Sequence, residues 1–99
     1  MALLSPEQVQ QKLATLSGWE LEGNALRRDL SFADFASAMV FVNRVAEIAE
    51  EANHHPDIDI RYSKVTLRLT SHDSGGITGR DTKMAGKINQ VTAGSSPQG

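Results

Sequence analysis

The hydrophobic spacing of this chain changes period at a single proline. In "FADFASAMVFVNRVAEIAEEAN" apolar residues recur at helical intervals, with no Gly or Pro to interrupt them. After Pro56, "DIDIRY" and "KVTLRLTS" alternate apolar and polar positions. A period near 3.6 demands a helix with a buried stripe, and a period of two demands strands with one buried face. A long helix must therefore pack on a sheet, and 99 residues leave room for one core only.

The helix is framed by Ser31 and Asp34 and carries two apolar stripes. One is Phe35, Met39, Val42, Ala46 and Ala49; the other is Phe41, Val45 and Ile48. Either the core face is wide, or the second stripe meets another subunit. Upstream, "SPEQ" has Ser5 as N-cap, Pro6 in the first turn and Gln8 placed for a capping box, so a first helix ends near Gly18. Two short strands, 19–21 and 25–30, flank a Gly23-Asn24 turn. A last helix starts near Thr78 with Met84, Ile88 and Val91 inward, and residues 92–99 are expected to form a disordered tail. The order α-β-β-α-β-β-α is an α+β fold, a four-stranded antiparallel sheet with helices on one face.

Two of the three histidines, His54 and His55, stand where the long helix must stop. Proline disfavours the helical conformation in the residue before it, so His55 is expected to be extended and His54 to close the helix. Glu50, four residues earlier, then shares a face with His54 and can orient its imidazole. If Ser63 and Lys64 form a two-residue turn, Tyr62 opposes Val65, Ile58 opposes Leu69, and His55 opposes His72. Three imidazoles would converge. Such a cluster could hold zinc, but adjacent residues rarely ligate one ion together and no HExxH spacing occurs. The metal-free alternative is acid–base chemistry, for which imidazole is suited near neutral pH. Asp81, three residues after Thr78, is sufficiently explained as a helix-capping carboxylate. Trp19 and Tyr62 are read as core residues.

Composition narrows the function classes. There is no cysteine, so disulfides, thiolate nucleophiles and zinc–sulfur sites are excluded, and a reducing cytoplasmic location is expected. A net charge of −2 with scattered Lys and Arg argues against nucleic acid. No stretch reaches the ~20 apolar residues that span a bilayer. "MALLSPEQ" has no basic region or long apolar run, so no secretory signal is expected.

Glu50, His54-His55-Pro56, Tyr62, His72 and Asp81 follow the order and spacing of the pterin-4a-carbinolamine dehydratase signature. The resemblance runs from "LSGW" to "KINQV" and includes "YSKV" and "GRD". It implies a metal-free, cofactor-free dehydratase that converts 4a-hydroxytetrahydropterin to quinonoid dihydropterin and water. It also implies three helices on one side of the sheet, and homodimers or homotetramers built through sheet edges and the long helix. Some animal members act as dimerisation cofactors of a homeodomain transcription factor, so a pure interaction module is the rival function. By resemblance His54, His55 and His72 are the active-site histidines, supported by Glu50 and Asp81. Thr70, Ser71, His72 and Asp73 hold the pterin ring, with Asn53 and Arg80 also counted as binding residues. Asn53 departs from the aspartate of some members and adds no charge.

Overall fold

The computed structural model describes residues 2–95. Its elements are α1 (Pro6–Leu13), β1 (Trp19–Glu22), β2 (Ala25–Ser31), α2 (Phe35–Ala52), β3 (Asp57–Arg61), β4 (Lys64–Leu69) and α3 (Gly79–Ser95). The four strands form one antiparallel sheet in the order β1-β2-β4-β3. Element order and strand number agree with the sequence pattern. Residues 92–95 of the expected tail are helical, because α3 continues to Ser95; residues 96–99 of that expectation lie outside the described residues.

Strand alternation sorts the sheet into two faces. Leu26, Leu30, Val65, Leu67 and Leu69 point one way and are buried in a single core with Val9 of α1, Phe41 and Val45 of α2, and Met84 and Ile88 of α3. All three helices therefore cover that face. The opposite face is charged: Arg27 pairs with Glu22 and Asp29, and Arg68 with Glu22.

Local signals explain the ends of the helices. Ser5 accepts from the Gln8 N–H at 3.2 Å while the Gln8 side chain accepts from the Ser5 N–H at 2.8 Å, the reciprocal capping box. Asp34 caps α2 by accepting from the Ser37 N–H at 2.7 Å. The buried face of α2 is Ala38, Phe41, Val42, Val45 and Ala49, one stripe that draws on both expected ones. Phe41 and Val45 of the second stripe lie in the same core as Val42 of the first, so the wide core face is the alternative that holds, with Phe35 and Ala46 exposed outside it.

The β3–β4 register also differs from expectation. Arg61 pairs with Lys64, Ile60 with Val65 and Ile58 with Leu67, so Tyr62 and Ser63 make the turn. Tyr62 takes the left-handed conformation at φ 56° and is 72% exposed, which removes it from the core. A shift of two residues keeps each side chain on its expected face, so the apolar alternation could not distinguish the two registers. Ile58 and Ile60 share the buried face, yet β3 is an edge strand and leaves both partly open.

One polar group enters the apolar face. Arg28 reaches over Gly18, and its Nη1 donates to the Ser17 carbonyl at 2.9 Å and to Asn89 Oδ1. Asn89 Oδ1 also accepts from Trp19 Nε1 at 2.8 Å, and Asn89 Nδ2 donates to the same Ser17 carbonyl at 3.1 Å. Burial lowers the Arg28 pKa from its ordinary value, and these acceptors keep the cation tolerable. Asn89→Ala removes the acceptor shared by an indole and a guanidinium. It is expected to lower stability by about 1–3 kcal/mol in urea unfolding.

Candidate active site

The site begins where α2 stops. Its C-cap is Asn53, in the left-handed conformation at φ 51°, which asparagine tolerates better than other side-chain-bearing residues. The Asn53 N–H donates to the Glu50 carbonyl at 3.2 Å and the His54 N–H to the Ala49 carbonyl at 3.0 Å, closing the helix end. Asn53 is thus the residue that reverses the chain, and His54 already lies outside α2. That overturns the expected Glu50–His54 pair, which required His54 to continue the helix. Glu50 instead hydrogen-bonds His55 through Oε2 and Nε2.

His54 turns inward. It is 9% exposed, and its Nε2 lies 2.6 Å from Oδ1 of Asp81, itself wholly buried. The second carboxylate oxygen, Oδ2, accepts from Ser71 Oγ at 2.9 Å and from the Thr78 N–H at 2.9 Å. Ser71 Oγ and Thr78 Oγ1 are also 2.9 Å apart, and Thr78 Oγ1 accepts from the Arg80 N–H at 3.2 Å. Asp81 therefore does cap the start of α3, but it also grips His54. Capping was legible as a three-residue spacing; the grip depends on packing between α2 and α3.

The adjacent histidines thus differ sharply. The His55 side chain is 55% exposed and that of Glu50 77% exposed, so their contact is a surface ion pair when His55 is protonated. Such pairs contribute little. Glu50→Gln is expected to change unfolding free energy by less than about 1 kcal/mol, as read in urea titration.

The segment at the end of β4 has four different environments. Thr70 Oγ1 donates to the Asn24 carbonyl at 2.8 Å, tying β4 to the β1–β2 turn. Ser71 belongs to the Asp81 network. His72 and Asp73 are exposed and lie in a tight turn closed by the Ser71–Gly76 bridge, where the Ser71 N–H donates to the Gly76 carbonyl at 2.8 Å. Asp73 accepts from Arg80 Nη2, which holds its carboxyl below the usual value. The expected opposition of His55 and His72 is not formed: the β3–β4 ladder ends at Asp57 and Arg68, before either histidine. The side chain of His54 goes to Asp81 and that of His55 to Glu50. No group of three or more His, Asp or Glu side chains among the described residues is arranged to hold a metal ion.

A cavity of about 350 Å³ opens beside His54, between the end of α2 and the first turns of α3. Glu51 and Ala52 line one side, and Arg80, Lys83 and Lys87 the other. The sequence reading missed the lysines, although residues 80, 83 and 87 fall on one helical face.

The fold and this site define a class: a helix-covered antiparallel sheet with a buried, carboxylate-held imidazole beside an open cavity. The family model described as "Pterin 4 alpha carbinolamine dehydratase" matches residues 2–91. A relative from Koribacter versatilis, named by inference a pterin-4-alpha-carbinolamine dehydratase, is 56% identical over 89% of this chain and 94% of its own. A relative from Mycolicibacterium smegmatis with the same inferred name is 50% identical over 92% of this chain and 97% of its own. The crystal structure of a transcriptional coactivator/pterin dehydratase from Brucella melitensis aligns with a TM-score of 0.86 at 34% identity, over 90% of this chain and 97% of that one. The chain belongs to the pterin 4 alpha carbinolamine dehydratase family. A pterin dehydratase-like assembly factor of the alpha-carboxysome shares the fold, with a TM-score of 0.60 at 19% identity over 74% of this chain and 84% of that one. Among the described residues no helix is long and apolar enough to cross a membrane.

Proposed function

We propose that this protein dehydrates 4a-hydroxytetrahydropterin to quinonoid dihydropterin and water, and that His54 is central to the proton transfers. The supporting observation is the His54–Asp81 pair beside the cavity. Asp81 takes up Nε2 and leaves Nδ1 as the ring nitrogen for substrate. In the reaction the C4a hydroxyl gains a proton and the C4a–O bond breaks, its electrons leaving with water. The N5 lone pair forms the C4a–N5 double bond, and N5 then loses its proton. One acid and one base suffice, and no electron acceptor is needed.

His54 and His72 form the acid–base pair in this scheme, with His55 orienting the ring. His72 follows Ser71, whose hydroxyl is fixed on Asp81, so the turn that carries His72 is anchored to the carboxylate that holds His54. Backbone groups of Thr70, His72 and Asp73 can read the amide-like edge of the pterin, while those of Ser71 are engaged within the turn on Gly76, Ser74 and Gly75. Neither metal nor cofactor has a step to perform. A role in pterin recycling in the cytoplasm fits such a reaction.

The protein acts as a homodimer or homotetramer in this proposal. Support comes from the outer edge of β3, where unpaired strand groups and part-exposed Ile58 and Ile60 call for a cover. The Brucella melitensis protein is named a transcriptional coactivator as well as a pterin dehydratase, which supports an interaction module as the second reading of this chain. The deciding experiment follows the decay of 4a-hydroxytetrahydropterin with and without protein. Acceleration that saturates with substrate is expected; decay at the uncatalysed rate would refute the dehydratase assignment.

A further inference from the structure

The cavity beside His54 has a lining that is positive on balance, although the chain is not. The chain as a whole carries a charge of −2. Yet Arg80, Lys83 and Lys87 line this one opening, against a single lining carboxylate, Glu51. Their spacing places all three cations on one face of α3. Arg80 is bound to Asp73 through Nη2, and its Nε is buried with no hydrogen-bond partner among the described residues. Lys83 and Lys87 form no salt bridge among the described residues. The same side of the cavity begins at Gly79, the first residue of the 17-residue α3, where the helix dipole adds positive potential.

Proton transfer on a pterin ring needs no such charge, since the ring at the reacting carbon is neutral. The lysines stand one and two turns along α3 from the end that holds Asp81, at residues 83 and 87. A substituent that extends from a ring bound at His54 along α3 would meet them. Two flexible ammonium groups suit a compact dianion.

We propose that Lys83 and Lys87 recognise an anionic substituent on the pterin, and that the preferred substrate carries a phosphate monoester on its side chain. This assignment rests on the proposed function of the same site and adds the substrate class to it. Glu51, on the opposing side, disfavours an anion placed toward α2 and so directs the phosphate to α3.

The test compares two 4a-hydroxytetrahydropterins, one with a neutral polyhydroxylated side chain and one with its phosphate monoester. The parent is expected to favour the phosphate ester by about 10- to 100-fold in kcat/KM, an effect typical of charge-assisted contacts. The preference should shrink as salt is raised. In the Lys83→Gln, Lys87→Gln double variant the ratio should approach one, and Lys83→Arg, Lys87→Arg should restore it. A ratio near one in the parent, or an equal ratio in parent and Gln variant, overturns the proposal. Fluorescence titration with the corresponding oxidised pterins, which do not react, separates this proposal from the dehydratase assignment. Tighter binding of the phosphate ester, lost in the Gln variant, supports anion recognition even if the parent turns over neither substrate. Equal binding of the two oxidised pterins by the parent overturns anion recognition even if dehydration is fast.

Discussion

Asp81→Ala is expected to lower the stability of this protein by on the order of 3–5 kcal/mol, the largest effect of any single polar substitution proposed for it. The carboxylate is wholly buried and accepts from three donors: His54 Nε2–H, Ser71 Oγ–H and the Thr78 N–H. Alanine takes the acceptor from three donors whose residues are no more than 9% exposed, and each buried unsatisfied group costs about 1–3 kcal/mol. The Ser71–Thr78 contact at 2.9 Å can retain part of the network, which keeps the total below the sum of three full penalties. A domain of this size has ~5–15 kcal/mol in hand, so the variant should fold, with a melting temperature lowered by more than about 10 °C. Asp81→Asn separates stability from chemistry. It keeps the volume and one acceptor oxygen, but its amide nitrogen must face a donor. A smaller loss of stability is expected, together with a clear loss of dehydration rate because His54 is no longer held in one tautomer. Thermal unfolding and turnover of the two variants check both halves. An Asp81→Ala protein that melts with the parent would show that the network contributes nothing.

How far the sequence foretold this site depends on which interactions are local. The capping box at Ser5, the Asp34 cap, the Gly23-Asn24 turn and the α-β-β-α-β-β-α order all follow from neighbours within a few residues, and the structure has each of them. The β3–β4 register is not fixed by strand alternation, which repeats every two residues, and neither Ser63-Lys64 nor Tyr62-Ser63 is a turn pair that sequence favours. Tyr62 in a left-handed conformation is not a choice that local propensity favours. The exchange of partners at the double histidine has one cause. Asn53 is itself a residue suited to the left-handed cap, and reading it so would have placed His54 beyond the helix and off the Glu50 face. The pairing of His54 with Asp81 lies 27 residues apart in the chain and is set by α2 packing on α3, which no local pattern encodes. The basic face of α3 was legible as a spacing, but it acquires meaning only from the cavity it borders.

The second large effect concerns His54 itself. His54→Ala removes the imidazole while Ser71 and Thr78 still satisfy Asp81, so the fold should survive better than with Asp81→Ala. Loss of a positioned acid or base typically costs ~10²–10⁴-fold in rate. The most direct measurement is therefore the kcat/KM for 4a-hydroxytetrahydropterin decay in parent, His54→Ala and His72→Ala proteins whose unfolding transitions have been verified. A fall of about 10²–10⁴-fold with His54→Ala, and a comparable one with His72→Ala, is the predicted result; turnover at the parent rate without the His54 ring would contradict it.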